Sequence, residues 1–130
     1  MKAKTNLTML CDFYELTMAN GYFQTGLQDR ICYFDVFYRS VPDKGGFAIA
    51  AGLAQVVEYI QELCFDQEDV DYLRTKGCFS EEFLTFLRGF KFTGDIWAVP
   101  EGTPVFPNEP IMTVRAPAIQ AQFVETFLLL

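Results

Sequence analysis

The 130-residue chain has no histidine, and its 10 Lys and Arg are outnumbered by 17 Asp and Glu, giving a formal net charge of −7. An acidic balance of this size argues against nucleic-acid binding, which rests on Lys and Arg neutralising phosphates. It does not exclude a local basic site for a small phosphate ligand. The four cysteines, Cys11, Cys32, Cys64 and Cys78, form no C-x-x-C pair. With no His to join them, no zinc-like constellation exists. They read as reduced, mostly buried thiols of a cytosolic protein. No stretch approaches the ~20 apolar residues of a membrane span. Lys2 and Lys4 precede a short apolar run, but Asp12 and Glu15 interrupt it before a signal-peptide core is complete. The expectation is a soluble, cytoplasmic chain with neither a membrane nor a nucleic-acid partner.

What the chain does have is apolar and aromatic. Hydrophobic residues make up 51% and charged residues 21%, a globular composition. The length suits one domain. The aromatic share is 16%, carried mostly by 14 Phe and 6 Tyr. That surplus points to aromatic surface buried against something beyond a lone small domain.

The pattern predicts a helix over 12–25, opened by Asp12 with Glu15 three places on in capping-box form and stopped by Gly26. Tyr14, Met18 and Tyr22 fall on one stripe and Phe13 and Leu16 on another face, so the helix should pack between layers or against a second chain. A strand is predicted over 31–39, with Cys32, Phe34, Val36 and Tyr38 on one face and Ile31, Tyr33, Asp35, Phe37 and Arg39 on the other. Residues 47–63 read as a helix with the stripe Ile49, Leu53, Val56, Ile60 and Leu63. Gly52 would weaken that helix by up to ~1 kcal/mol relative to Ala, which implies a close packing neighbour. Short helices over 67–76 and 80–88 follow, with Ser80 as an N-cap and Gly77 and Gly89 as stops. Strands over 94–99 and 111–115 flank a segment with Pro100, Gly102, Pro104, Pro107 and Pro110. Prolines withhold ladder donors, so these strands read as edges and corners of a small barrel-like sheet, with Trp97 in its core. A last helix begins near Ala118 and runs into Leu128, Leu129 and Leu130 without a stop signal. It reads as a helix cut short or packed on another subunit.

Six stretches, in order, carry a resemblance. They are Cys11-Asp12-Phe13-Tyr14-Glu15-Leu16-Thr17-Met18-Ala19, Phe34-Asp35-Val36-Phe37-Tyr38-Arg39, the run from Gly45 to Leu53, Phe92-Thr93-Gly94-Asp95-Ile96, the Pro/Gly run from Val99 to Pro110, and Gln120-Ala121-Gln122-Phe123-Val124-Glu125-Thr126. Together they resemble the nicotinate phosphoribosyltransferase family. The resemblance implies an α+β fold like the amino-terminal domain of nicotinate and quinolinate phosphoribosyltransferases, with helices plus a small barrel-like β-sandwich. Residues 1–130 would then be that domain, truncated within the helix starting near 118, with the downstream α/β barrel absent.

It also implies a reaction. Nicotinate and 5-phosphoribosyl 1-pyrophosphate give nicotinate mononucleotide and pyrophosphate, coupled to ATP hydrolysis and with Mg2+, in NAD biosynthesis. The phosphate sites, the Mg2+ and ATP contacts and a catalytic His would lie beyond Leu130, leaving no catalytic residue or metal ligand in this chain and the chain alone inactive. A homodimer with its site shared across subunits is the implied assembly. Asp12-Phe13-Tyr14-Glu15-Leu16-Thr17 and Glu101-Gly102-Thr103-Pro104 favour the nicotinate branch over nicotinamide and quinolinate relatives.

Three residues are substrate-binding candidates. On spacing alone Tyr14 packs with Met18 and Tyr22; in similar enzymes this Tyr stacks on the nicotinate ring in the neighbouring subunit's site. Asp12 reads equally as an N-cap and as a site carboxylate. Arg39 is either a surface residue at a strand end or a bidentate phosphate contact. Gly45 and Gly46 lack a phosphate-loop pattern and read as a loop. Glu101, Glu109 and Glu125 read as structural or capping residues rather than metal ligands. The competing function is a non-catalytic dimerisation or interaction module, or a split subunit, motivated by the aromatic surplus and the leucine end.

Overall fold

The computed structural model describes residues 6–41 and 45–130. Helix α1 (Phe13–Gln24) ends where the pattern predicts. Gly26 adopts φ 72°, the Gly26 N–H donates to the Phe23 carbonyl at 3.3 Å and the Leu27 N–H to the Tyr22 carbonyl at 2.8 Å. This paired closure satisfies carbonyls that the helix end would otherwise strand. Its inward residues include Leu16 and Ala19, whereas Phe13, Tyr14 and Met18 are exposed.

Strand β1 (Ile31–Val36) pairs antiparallel with β5 (Met112–Pro117), which pairs on its other side with β3 (Asp95–Ala98). The ladder stops at Val36, short of Arg39, because Val36 faces Met112 and Pro110 lies just beyond with no donor. Period-two alternation sends Val114 and Ile96 inward and Tyr33, Arg115 and Trp97 outward, while Phe34, on the inner face opposite Val114, stays exposed. Trp97 is therefore not core: it is 55% exposed on an edge strand. On that outer face Arg115 donates to Tyr33 Oη at 3.1 Å and to Asp95 at 3.0 Å. Gly94 enters β3 where a Cβ would sit 2.6 Å from both Ala116 Cβ and the Arg115 carbonyl, so only glycine fits this approach.

The segment predicted as one helix over 47–63 divides. Residues Ala48–Ile49 form β2, paired with β4 (Pro104–Val105) far along the chain. Helix α2 covers only Leu53–Glu62. Gly52 is its N-cap at φ 97°, and a side chain added there would meet nothing within 4 Å, so the glycine serves backbone conformation and not close packing. Glu101 caps this helix from across the chain, accepting from the Gly52 and Ala54 N–H groups at 3.1 and 3.2 Å.

The strands thus make a three-stranded and a two-stranded sheet, and the expected barrel is not closed. Prolines at 100, 104, 107 and 110 remove the donors closure would need. Single bonds tie the sheets instead, such as Tyr38 Oη donating to the Val105 carbonyl at 2.6 Å.

Helices α3 (Gln67–Arg74) and α4 (Glu81–Arg88) match their predicted positions, and Ser80 caps α4 by accepting from the Phe83 N–H at 3.2 Å. The core forms where α4 (Phe83, Leu84, Leu87) meets α1, the inner face of β5 and helix α5 (Ala118–Phe123). The helix expected from Ala118 breaks at Val124, and α6 (Glu125–Leu129) follows. Cys64 and Cys78 lie in the loops flanking α3 and are exposed, while Cys11 and Cys32 are half-buried, so the thiols are not mostly buried as expected. Among the described residues no helix is long and apolar enough to cross a membrane.

Candidate functional site

The first turn of α1 rests on the start of α6. Asp12 is extended at the helix entry, but its side chain makes no capping bond. Its backbone N–H donates instead to Thr126 Oγ1 at 3.2 Å. The predicted capping box fails because Glu15, its other half, is 0% exposed and turned inward. Glu15 Oε1 accepts from the Thr126 N–H at 3.1 Å and from Thr126 Oγ1 at 2.5 Å. The Thr126 amide is thereby diverted from helix geometry beside the break at Val124. Burial raises the Glu15 carboxyl above the usual glutamate range, opposed by the Thr126 hydrogen bond and reinforced by the charge of Glu125.

Tyr14 leaves the same turn in another direction. Its hydroxyl donates to Glu125 Oε1 at 2.5 Å. Glu125 Oε2 accepts from Nε2 of Gln122 at 2.6 Å, and Gln122 is buried. The hydrogen bond to Glu125 is the main reason the Tyr14 phenol is pushed up to about 12, so it stays protonated and donating. The ring itself is 45% exposed. Neighbouring Phe13 meets Phe79 edge-on at 5.9 Å, but among the described residues no ring stacks on Tyr14. A groove of about 450 Å³ runs along Phe34, Val36, Val124 and Leu128 and reaches Glu125.

The structure therefore brings Asp12 and Tyr14 together at one helix entry. Arg39 lies exposed three residues past β1 and has no hydrogen bond or ion pair to another described residue. Gly45 and Gly46 lie in a loop ahead of β2. Glu109 accepts from the Phe106 N–H at 3.3 Å and holds a turn. Sequence reasoning did not reach Glu15, Gln122 and Thr126 as site-building residues. Glu125 was visible as a structural residue, without its partner. The one available signal was that residues 11–19 and 120–126 both fall in family-like stretches. Among the described residues no group of three or more Cys, Asp or Glu side chains could hold a metal ion.

A family model described as the nicotinate phosphoribosyltransferase (NAPRTase) N-terminal domain matches residues 9–130. The chain is 48% identical over 121 residues to nicotinate phosphoribosyltransferase pncB2 of Mycobacterium tuberculosis, covering 93% of this chain and 26% of that protein. It is 39% identical over 124 residues to the Bacillus subtilis nicotinate phosphoribosyltransferase, covering 95% and 25%. The crystal structure of human nicotinic acid phosphoribosyltransferase superposes with a TM-score of 0.83 at 32% identity, over 90% of this chain and 24% of that one. Nicotinate-nucleotide pyrophosphorylase from Pyrococcus furiosus shares the fold, with a TM-score of 0.65 at 15% identity over 98% of this chain and 26% of that one. The chain spans about a quarter of the length of the curated relatives it matches. With an α+β fold, an ordered series of matching stretches and a family match over nearly its whole length, the chain belongs to the nicotinate phosphoribosyltransferase N-terminal domain family.

Proposed function

We propose that this chain supplies the pyridine-stacking side of the active site of a nicotinate phosphoribosyltransferase. The whole enzyme would join nicotinate to 5-phosphoribosyl 1-pyrophosphate, releasing pyrophosphate, with ATP hydrolysis and in the service of NAD biosynthesis. The observation that carries the reading is Tyr14: an exposed aromatic residue tethered at its tip, with no ring stacked on it among the described residues. Stacking on such a ring contributes ~0.5–1.5 kcal/mol beyond area burial.

In the reaction the pyridine nitrogen attacks the anomeric carbon as pyrophosphate leaves, and positive charge develops on the sugar. Asp12, whose side chain caps nothing, can set its carboxylate toward that charge. Arg39, without an ion-pair partner among the described residues, suits a phosphate oxygen. Mg2+ would offset charge on the leaving group, and no residue of this chain is proposed to hold it or ATP. A homodimer in which Tyr14 reaches the partner's site accounts for an aromatic helix face left open. A cytoplasmic location fits these soluble substrates. The family match does not favour the alternative of a non-catalytic interaction module.

The test is the complete enzyme carrying Tyr14→Ala, assayed for nicotinate mononucleotide. The nicotinate KM should rise about five- to tenfold with the phosphoribosyl pyrophosphate KM unchanged. Unaltered nicotinate kinetics would remove the stacking role.

A further inference from the structure

Two consecutive residues of α1 grip two consecutive residues of α6. Tyr14 donates to Glu125 and Glu15 accepts from Thr126, each pair 111 residues apart in sequence. The grip has an internal order. Gln122, 3% exposed, holds one oxygen of Glu125, and Glu125 holds the Tyr14 hydroxyl with the other. Glu15, fully buried, holds Thr126 through both its amide and its hydroxyl, and the Thr126 hydroxyl accepts from the Asp12 N–H.

An exposed tyrosine ordinarily swings about two side-chain torsions. Here the ring is fixed at its root by a helix turn clamped to Thr126 and at its tip by an acceptor that is itself anchored in the core. A ring held at both ends presents its face in one orientation, so less ordering remains to be done when a ligand stacks on it. We propose that Glu125 is a positioning residue, orienting Tyr14 for the pyridine ring, with the Glu15–Thr126 pair setting the register of the two helices. This rests on Tyr14 being the stacking residue.

The experiment is a double-mutant cycle in the complete enzyme with Tyr14→Phe and Glu125→Ala, singly and together, alongside Glu125→Gln and Tyr14→Ala. Each single change removes the same hydrogen bond from one end, so each should raise the nicotinate KM about threefold, less than Tyr14→Ala does, with the phosphoribosyl pyrophosphate KM unmoved. The double variant should be no worse than the worse single. Glu125→Gln keeps one oxygen to accept from Tyr14, with the Gln122 amide turning to accept from its new NH2, and should recover part of the loss. Independent, multiplying effects would overturn the proposal. So would parallel changes in both KM values, which mark a merely structural role. Should Glu125→Ala fail to fold, Tyr14→Phe decides alone: an unchanged nicotinate KM there refutes positioning. Failure of the stacking reading is separable, since it alone predicts no response to Tyr14→Ala. A response to Tyr14→Ala with none to Tyr14→Phe or Glu125→Ala leaves stacking standing and removes Glu125.

Discussion

The first turns of α1 and α3 begin from the same pattern, an Asp followed three residues later by a second acid, and they end in different structures. At α3 the Asp66 carboxylate accepts from the Asp69 N–H and the Asp69 carboxylate from the Asp66 N–H, both at 3.0 Å. At α1 neither reciprocal side-chain bond is made. The turn of α3 is open enough that its carboxylates stay over their own backbone donors, with Asp69 also accepting from Asn6 Nδ2 at 3.3 Å. The turn of α1 lies under α6, and the longer Glu15 reaches Thr126 instead. A capping box therefore forms where the carboxylates stay over their own turn, even with a distant side chain also donating to one of them. Where another element packs over the turn, the same carboxylate becomes a tertiary clamp.

The comparison breaks most visibly at Glu15. Glu15→Ala should cost about 2–3 kcal/mol in urea denaturation, because the Thr126 amide and hydroxyl lose their buried acceptor. A loss under about 0.5 kcal/mol, the usual range for surface changes, would mean that the clamp carries no stability. Local caps should show a smaller and uneven cost. Ser80→Ala removes a formed cap and should cost about 1 kcal/mol, while Asp12→Ala removes none and should stay within about 0.5 kcal/mol. Equal losses at the two sites would erase the distinction between them.

The last difference is one of sign. The Glu15 carboxyl is raised, chiefly by burial, so its contribution is greatest below the ordinary glutamate value of 4.5 and is lost as pH climbs through its higher folded value. The Asp66 carboxyl is lowered, chiefly by the Asp69 amide, so its contribution is present above the ordinary 3.8 and is lost as pH falls through its lower folded value. Urea midpoints across acid pH should show Glu15→Gln gaining on the wild-type chain as pH rises, and Asp66→Asn falling behind it over the same rise. Parallel profiles would contradict the two environments.

Legibility in the sequence followed the reach of the signals. Helix α4 was readable at both ends because Ser80 and Gly89 act within one turn of it. Gly26 marked the end of α1 for the same reason. The start of α2 was misplaced because the apolar spacing of Ile49, Leu53 and Val56 runs on through Gly52, while Ala48 pairs with Val105, far along the chain. Trp97 has the composition of a core residue, and only the register opposite Thr113 turns it outward. In the site, Tyr14 could be named as a candidate, but its freedom from other rings and its tether to Glu125 could not.

Residue order alone was enough for the helix stops, the α4 cap, the proline-rich interruption of the sheet and the family-like stretches, because each is satisfied within a few neighbouring residues. Strand register, the burial of Glu15 and the pairing of Tyr14 with Glu125 needed the folded chain. Each depends on which of several available partners is brought within hydrogen-bonding distance across up to 111 residues, and packing of the core between makes that choice.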